Sequence, residues 1–222
     1  MAALQARIAA MQAKTLGART LPTDPAVAPL LPGGALRSGV AYAAPGSLAL
    51  AMLLLAGPSA AGAWCGVVGI PEFGAEAAAE LGVALDRLVL VPSPGEHWLS
   101  VTAQLAEVLP VVLVRPPARG ASPSETARLA SRLRQRDATL LVAGEWSGAE
   151  ATLTATGGSW AGIGTGWGYL AARELDVVTT VREVRTRHRV RIETGFRPVV
   201  PAAPAAPVRP RPVAVPAMEA AG

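Results

Sequence analysis

The chain has 222 residues, enough for one sizeable domain but not for two full ones. Hydrophobic residues make up 51% of it and charged residues 16%, which predicts a folded body and excludes a disordered chain. The 20 basic residues include a single lysine, Lys14, so no glycine-rich loop carries the lysine that a P-loop nucleotidase needs. One cysteine and two distant histidines exclude a disulfide framework and cysteine- or histidine-rich metal sites. The net charge of +4 permits a nucleic-acid partner without requiring one.

The first 34 residues predict two segments ahead of the main domain. Residues 1–18 place Leu4, Ile8 and Met11 on one helical face, which indicates a short amphipathic helix suited to packing or self-association. Residues 19–34 are rich in proline and glycine and predict a linker that cannot stay helical. The N-terminus lacks the long apolar run of a secretory signal peptide, so we expect a cytoplasmic protein.

The stretch between Arg37 and Glu72 carries no charge and therefore needs to be weighed as a membrane span. Its longest unbroken apolar run, Leu48–Ala56, has nine residues, whereas a spanning helix needs roughly 20. Pro45 and Pro58 interrupt the stretch on either side of that run. The sequence therefore predicts a buried core helix and no membrane partner.

Short apolar runs alternate with helical patterns along the middle of the chain. Such alternation is typical of a parallel α/β sheet whose strands are covered by helices on both faces. The predicted strands are Gly39–Ala43, Ala63–Ile70, Arg87–Val91, Val111–Val114 and Thr139–Ala143. The predicted helices are Leu48–Ala56, Glu72–Leu81 and two more that follow Ser93 and Ser122.

The last two of these helices begin with the same motif. Ser93-Pro94-Gly95-Glu96 and Ser122-Pro123-Ser124-Glu125 each place serine at the N-cap, proline at the first helical position and glutamate at the third. This spacing predicts a capping box at both starts, in which the serine and glutamate side chains satisfy each other's backbone N–H groups.

The C-terminal third of the chain has a different pattern. Thr152–Thr156, Leu175–Val181 and Val184–Ile192 alternate with a period of two, which predicts an antiparallel extension of the sheet. We place one domain at residues 35–197. Residues 198–222 are rich in proline and alanine with almost no charge, which predicts a disordered tail with polyproline character.

Two stretches carry a resemblance to a known family. Leu31–Ala51, LPGGALRSGVAYAAPGSLALA, follows the order of a glycine-rich lead-in, a strand, a turn and a helix. In Leu81–Pro116, a Leu-Gly-Val-x-hydrophobic-Asp run precedes a strand, a helix and a second strand. In this order of elements the chain resembles the RecA-like ATPases over residues 28–195. The resemblance implies an α/β fold with a mostly parallel central sheet, flanked by helices, and an antiparallel C-terminal extension.

The residues of an active ATP site are missing where the resemblance places them. Pro45, Gly46 and Ser47 stand in the short turn that corresponds to the phosphate loop, without the Gly-Lys-Ser/Thr that binds phosphate and Mg²⁺. Arg115 follows the strand that should end in a metal-holding acid, which puts a positive charge where the cation would bind. We therefore expect a pseudo-ATPase that is not an enzyme and takes no metal or cofactor.

Among RecA-like proteins without a working ATP site, the chain is most similar to the ImuA-type accessory proteins of inducible translesion mutagenesis. That resemblance implies a non-catalytic adaptor of the SOS response and DNA-damage tolerance. Its implied partner is an ImuB-type inactive homologue of the Y-family polymerases. The alternative is a SulA-like cell-division inhibitor that binds the division GTPase FtsZ. The chain's length and its lack of Walker residues favour the adaptor, and the proline-rich tail suits either.

Two rows of arginines are candidates for DNA or partner binding. A predicted strand projects Arg185, Arg187, Arg189 and Arg191 from one face, and a predicted helix carries Arg128, Arg132 and Arg136 one turn apart. Each row is explained either as phosphate or partner contacts or as a solvated charged face that discourages edge pairing. The solvated face is the more common use of such a row.

The segment Gly157–Tyr169 is rich in glycine and contains Trp160 and Trp167. It lies where RecA-like proteins carry a mobile DNA-binding loop, so the resemblance implies that these aromatics stack on the bases of single-stranded DNA. The alternative is that the tryptophans cover the edge of the sheet as hydrophobic lids, which we favour slightly.

A serine hydrolase is the competing enzyme hypothesis. Ser159, Asp176 and His188 occur in the chain order of α/β-hydrolase triads. The glycine-rich sequence after Ser159 does not suit the strand-to-helix elbow that such a nucleophile needs, so we give this hypothesis little weight. Cys65 lies in an apolar predicted strand and is expected to be an inert core thiol.

Overall fold

The computed structural model of the chain describes residues 19–161 and 172–193. The predicted helix of residues 1–18, the predicted tail of residues 198–222 and Trp167 lie outside the described residues. The side chain of Trp160 lies outside them as well.

The described residues form ten strands and four α-helices. The strands are β1 (Thr20–Leu21), β2 (Leu36–Arg37), β3 (Ala41–Ala43), β4 (Cys65–Val68), β5 (Leu88–Val91), β6 (Val111–Val114), β7 (Thr139–Val142), β8 (Ala151–Ala161), β9 (Ala172–Val181) and β10 (Val184–Glu193). The helices are α1 (Leu48–Ala60), α2 (Ala75–Glu80), α3 (Trp98–Val108) and α4 (Pro123–Arg136).

Eight of the strands form one sheet in the order β10-β9-β8-β3-β7-β6-β4-β5, while β1 and β2 pair separately. Neighbouring strands from β8 across to β5 are parallel, and β8, β9 and β10 pair antiparallel. The prediction of a mostly parallel central sheet with flanking helices and an antiparallel C-terminal extension is confirmed. The two edges of the sheet are β5 and β10.

A hydrophobic core lies on each face of the sheet. On one face, Tyr42 and Leu113 pack with the side chains of α1. On the other face, Trp98 of α3 packs with Leu129 and Leu133 of α4. Because helices cover both faces, the central strands β3, β4, β6 and β7 are buried at every position rather than at alternate ones.

Helix α1 is apolar on all sides because it is covered on all sides. Residues Leu50–Ala56 are buried between the sheet and residues Pro22–Leu31, a segment that we call the strap. Where the strap crosses the helix, a Cβ on Gly57 would lie 2.6 Å from the backbone nitrogen of Asp24. Only glycine allows the two backbones to approach this closely.

The C-terminal end of α1 differs from the prediction. The helix continues to Ala60, although Pro58 was expected to interrupt it. Pro58 lies in the last turn, where its missing N–H removes only one hydrogen bond near a frayed end. Ser59 anchors this turn, since its hydroxyl accepts a hydrogen bond from the Ala84 N–H at 2.9 Å. No helix in residues 19–161 and 172–193, α1 included, is long and apolar enough to span a membrane.

The strap falls in the region predicted to be a linker, and it packs against the domain. It contains a 3-10 turn at Ala28–Leu30, and the side chains of Val27 and Leu30 are fully buried. Asp24 orders the start of the turn, since its carboxylate accepts a hydrogen bond from the Ala26 N–H at 2.8 Å. The prolines prevent an α-helix as expected, but the apolar side chains between them join the core.

Only one of the two predicted capping boxes forms. At α4, the Ser122 hydroxyl accepts from the Glu125 N–H at 3.3 Å, and the Glu125 carboxylate accepts from the Ser122 N–H at 2.8 Å. The prediction for the first motif is wrong, because α3 begins only at Trp98 and has no side-chain cap. Gly95 has φ of +58°, outside the helical region, so the helix cannot extend back to Ser93.

Candidate functional site

A four-residue turn, Ala44–Ser47, joins β3 to α1 where the resemblance places a phosphate loop. A loop of the form G-x-x-x-x-G-K-[ST] is needed to surround phosphate groups with backbone N–H donors, and this turn is too short for that. Pro45 is buried, and Gly46 reverses the chain with φ of +80°. The Ser47 hydroxyl accepts a hydrogen bond from the Leu50 N–H at 3.2 Å, so it serves as the N-cap of α1.

Arg115 directly follows β6, and its charge is paired with that of Glu72. The guanidinium donates a hydrogen bond to the carboxylate, forming an ion pair. This hydrogen bond holds the pKa of Glu72 below its ordinary value, so the carboxylate is ionised at neutral pH. The backbone N–H of Arg115 donates to the carbonyl of Val68 at 3.0 Å, which fixes the residue beside the end of β4.

Both positions lie at the carboxyl ends of parallel strands, the edge at which open α/β sheets bind ligands. Strand β7 lies between β3 and β6, so the turn Ala44–Ser47 and Arg115 are two strands apart. Within the described ranges, no group of three or more His, Cys, Asp or Glu side chains could hold a metal ion. The described part of this edge presents an arginine–glutamate pair at the position where the resemblance requires an acid.

The arginines of β10 lie on one face and are exposed, as their alternation predicts. Arg189 lies opposite Asp176 of β9, and its Nε is 3.0 Å from a carboxylate oxygen. Arg191 lies opposite Glu174, with 3.7 Å between the charged atoms. The hydrogen bond to Asp176 raises the pKa of Arg189. Half of the row is therefore compensated by acids on the neighbouring strand.

The other half of the row is not compensated. Arg185 and Arg187 lie opposite Thr180 and Val178, which carry no charge. Neither arginine forms an ion pair with any residue that the structure describes. The free positive charge of β10 is thus concentrated near the hairpin that joins it to β9.

The arginine stripe of α4 is exposed and lies one helical turn apart, as predicted. Arg136 bridges to the neighbouring helix, with its Nε 2.6 Å from a carboxylate oxygen of Glu107 in α3. Arg128 and Arg132 form no ion pair with the described side chains. The nearby carboxylate of Glu125 interacts with the charge of Arg128, so this second surface is partly compensated.

The glycine-rich segment begins as a strand and not as a loop. β8 extends to Ala161, so Gly157–Ala161 are paired with β9, and the backbone of Trp160 lies opposite Arg173. A Cβ on Gly158 would lie 2.3 Å from the carbonyl oxygen of Glu174, which explains a glycine inside this strand. The loop prediction is wrong for these five residues, while Trp167 falls outside the described part.

The structure does not bring the three residues of the hydrolase hypothesis together. Ser159 lies within β8 opposite Glu174, so it shares a face with Asp176. His188 lies opposite Val177 and projects from the other face, where it is half-buried as predicted. Among the described residues, Ser159 lies inside a strand and not at a strand-to-helix elbow.

Cys65 lies in the interior of β4 and is fully buried. Burial raises the pKa of its thiol to about 12, so the reactive thiolate is scarce at neutral pH. The prediction of an inert core thiol is confirmed.

The sequence did not reveal an exposed apolar surface at the β5 edge of the sheet. Trp64, Leu85, Leu90 and Val108 are 50%, 45%, 43% and 75% exposed, and we call these four residues the apolar edge. Leu90 lies in β5 and Leu85 precedes it, while Trp64 directly precedes β4 and Val108 ends α3 before β6. Exposed apolar side chains in and beside an edge strand favour this part of the sheet as a protein interface.

The backbone of β5 adds to this surface. β5 pairs with β4 on one side and has no neighbour on the other among the described strands, so its outer N–H and C=O groups are open to pairing. Leu88–Val91 contains no charge, in contrast to the arginine-rich edge strand β10. Its sequence reads like those of the buried strands, and only the order of strands in the sheet distinguishes it.

Comparison with known proteins shows which family the chain belongs to. The family model described as the MT3502 N-terminal domain matches residues 29–148, which is more than half of the chain. The chain belongs to this family. It is also 33% identical over 129 residues to the uncharacterized protein Rv3395c of Mycobacterium tuberculosis. That match covers 57% of this chain and 63% of the relative, so the chain spans less than two thirds of the relative's length.

The MT3502 N-terminal domain match contains the turn Ala44–Ser47, Arg115 and all four residues of the apolar edge. It ends before β8, so the arginine row of β10 lies outside it. The matched region therefore holds the positions where the resemblance places a nucleotide site, together with the exposed apolar residues near β5.

Proposed function

We propose that the chain is a non-catalytic RecA-like adaptor in DNA-damage tolerance, which docks an ImuB-type polymerase homologue during translesion synthesis. The observation that carries this proposal is the open strand β5, which has the exposed apolar side chains Leu90 within it and Leu85 just before it. The similarity to the ImuA-type proteins, which rests on the chain's length and its lack of Walker residues, supplies the class of partner.

The altered nucleotide-site positions support an adaptor over an ATPase. The Ser47 hydroxyl is engaged in capping α1, and Arg115 is engaged with Glu72. Each side chain has a structural partner that ATP and Mg²⁺ would have to displace. A protein of this kind acts through the surfaces that it presents.

We expect the partner to dock at β5 by adding a strand to this edge of the sheet. An extended segment of the partner pairs with the outer backbone groups of Leu88–Val91, and its apolar side chains cover Leu90 and Leu85. Trp64, which precedes the neighbouring strand β4, offers a further exposed contact, and tryptophans often carry much of the binding energy of an interface.

Arg185 and Arg187, with Arg128 and Arg132 on α4, support a secondary contact with single-stranded DNA. Their side chains are exposed and form no ion pair with a described residue, which leaves them accessible to phosphate groups. Self-association through the same open edge is the competing use of β5, and the experiment below separates the two.

The test measures binding of the full chain to an ImuB-type homologue by calorimetry and size-exclusion chromatography. We expect a complex at micromolar concentrations or tighter, and a loss of affinity of at least tenfold for Trp64→Ser combined with Leu90→Lys. The matched control is Val184→Ser, because Val184 is also an exposed apolar residue but lies on β10. Unchanged melting temperatures ensure that both variants are folded.

Three results would contradict the proposal in different ways. A complex that is indifferent to Trp64→Ser and Leu90→Lys would place the partner elsewhere on the chain. A dimer of the chain alone that is lost in the same variant would assign β5 to self-association. Failure to bind the polymerase homologue, with inhibition of FtsZ instead, would favour the SulA-like alternative.

A further inference from the structure

A second apolar feature, separate from the apolar edge, lies between α1, α2 and the end of β10. It is a groove of about 320 Å³ lined by the apolar side chains of Leu48, Met52, Ala77, Leu81 and Ile192. Glu72, Glu80 and Arg173 contribute the charged groups of its rim. The groove thus has an apolar floor, and its border carries Arg173, the carboxylate of Glu80 and that of Glu72, which is paired with Arg115.

We propose that this groove binds the chain's own C-terminal segment that starts at Phe196, with the phenyl ring on the apolar floor and Arg197 beside Glu80. This inference goes beyond the proposed function and does not depend on it. It assigns a place to part of the chain that follows the last described residue, Glu193.

The position at which the described chain ends supports this occupant. Ile192 is itself a lining residue of the groove, and Phe196 follows it by only four residues. Four extended residues span at most about 14 Å, so Phe196 is tethered within reach of the floor. A short tether gives the segment a high effective concentration at the groove, against which a separate molecule has to compete.

The charges of the segment match those of the rim. α2 carries Glu76 and Glu80, and Glu76 is exposed beside the groove. Residues 194–222 contain three arginines and a single acid, Glu219, which is far along the sequence from Phe196. Arg197 follows the aromatic residue directly, so one short segment offers both an apolar group and a cation to a groove that presents an apolar floor and acids.

The experiment uses disulfide trapping in the full chain. Cys65 is buried with its pKa raised to about 12, so it contributes little background. Ala77 lines the groove and is exposed, so Ala77→Cys places a thiol there, and Gly195→Cys places one next to Phe196 without removing it. We expect this pair to form an intramolecular disulfide at least tenfold faster than the control pair Ser124→Cys and Gly195→Cys. Ser124 is exposed on α4, across the sheet from the groove.

A third variant tests the anchor itself. Adding Phe196→Asp to the Ala77→Cys and Gly195→Cys pair is expected to reduce the rate to that of the control, because the new carboxylate would face both the apolar floor and the carboxylate of Glu80. Equal rates for the first pair and the control would overturn the proposal. A fast rate that Phe196→Asp leaves unchanged would overturn Phe196 as the anchor, and a disulfide between two molecules would assign the groove to a second copy. All three measurements use the chain alone, so they are independent of the polymerase homologue.

Discussion

Arg115 and Glu72 form an ion pair that links the residue after β6 to the loop after β4. β4 and β6 are neighbours in the sheet, so the pair joins two adjacent strands at their carboxyl ends. The pair places the guanidinium of Arg115 at the position where a RecA-like ATPase would carry a carboxylate. The arginine is therefore held in place by a defined partner.

This pair and the short turn before α1 predict that the chain does not bind Mg²⁺-ATP. We expect no heat of binding in a calorimetric titration of the full chain. Arg115→Asp, which replaces the cation with an acid, is expected to give none either, because the turn Ala44–Ser47 still lacks a phosphate loop. Micromolar affinity that requires Mg²⁺ would contradict this prediction.

The two Ser-Pro-x-Glu motifs make a matched test of helix capping. Ser122→Ala removes a formed capping box and is expected to lower the free energy of unfolding by about 1 kcal/mol. Ser93→Ala removes a serine that makes no cap, so we expect almost no change. Urea unfolding measures the free energy of unfolding of both variants. Equal losses of stability would show that the effect of Ser122→Ala does not come from its capping box.

The same capping box predicts a dependence on pH. Hydrogen bonds from Ser122 hold the pKa of Glu125 below its ordinary value, so the folded chain favours the ionised carboxylate. This contribution to stability is present above the pKa of the unfolded chain and is lost as the pH falls through the lower pKa of the folded chain. We expect the stability difference between the natural chain and Glu125→Ala to shrink in acid below about pH 4. Urea unfolding of the two chains at several pH values measures this difference.

The close approach of the strap backbone to Gly57 predicts that a larger residue there weakens the contact between the strap and α1. A Cβ there would lie 2.6 Å from Asp24 N and 2.8 Å from Pro22 O, both backbone atoms that cannot move alone. Gly57→Ala is expected to lower the free energy of unfolding by about 1–2 kcal/mol, since the clash outweighs the better helix propensity of alanine. Gly144→Ala is the control, because its Cβ would make an ordinary contact at 3.8 Å. Faster proteolysis within the strap of the Gly57 variant would locate the change.

The arginines of β10 divide into two pairs with different expected effects on DNA. Arg185→Gln with Arg187→Gln is expected to weaken binding of single-stranded DNA and to reduce its salt dependence by about 0.7 per arginine. Arg189→Gln with Arg191→Gln should have a smaller effect, because Asp176 and Glu174 already compensate those charges. Fluorescence anisotropy at several salt concentrations measures both, and equal effects would contradict the division.

Local patterns in the sequence predicted much of the fold. The alternation of apolar runs and helices identified the parallel strands, and the period of two in Val184–Ile192 placed the arginines on one face. The capping box at Ser122 also follows from local spacing, because every group that takes part lies within four residues. In each case the deciding interactions are close along the chain.

The remaining features depend on distant parts of the chain. Leu88–Val91 reads like the buried strand Val111–Val114, and only the sheet order leaves the first at an edge. The pairing of Arg115 with Glu72 joins residues 43 positions apart. No capping box forms at Ser93 because Gly95 has a positive φ. Glycine adopts both positive and negative φ at little cost, so the presence of a glycine there could not predict whether the helix would begin at Ser93.

The strap determines where a shortened fragment of the domain can begin. The family match begins at residue 29, but the fully buried Val27 lies before that boundary. A fragment that starts at residue 29 would lose the part of the strap that crosses Gly57, leaving one side of α1 open to water. Because that helix has no polar face to present, such fragments would associate through it. Fragments intended for binding experiments should therefore begin no later than Thr20, where β1 opens the described fold.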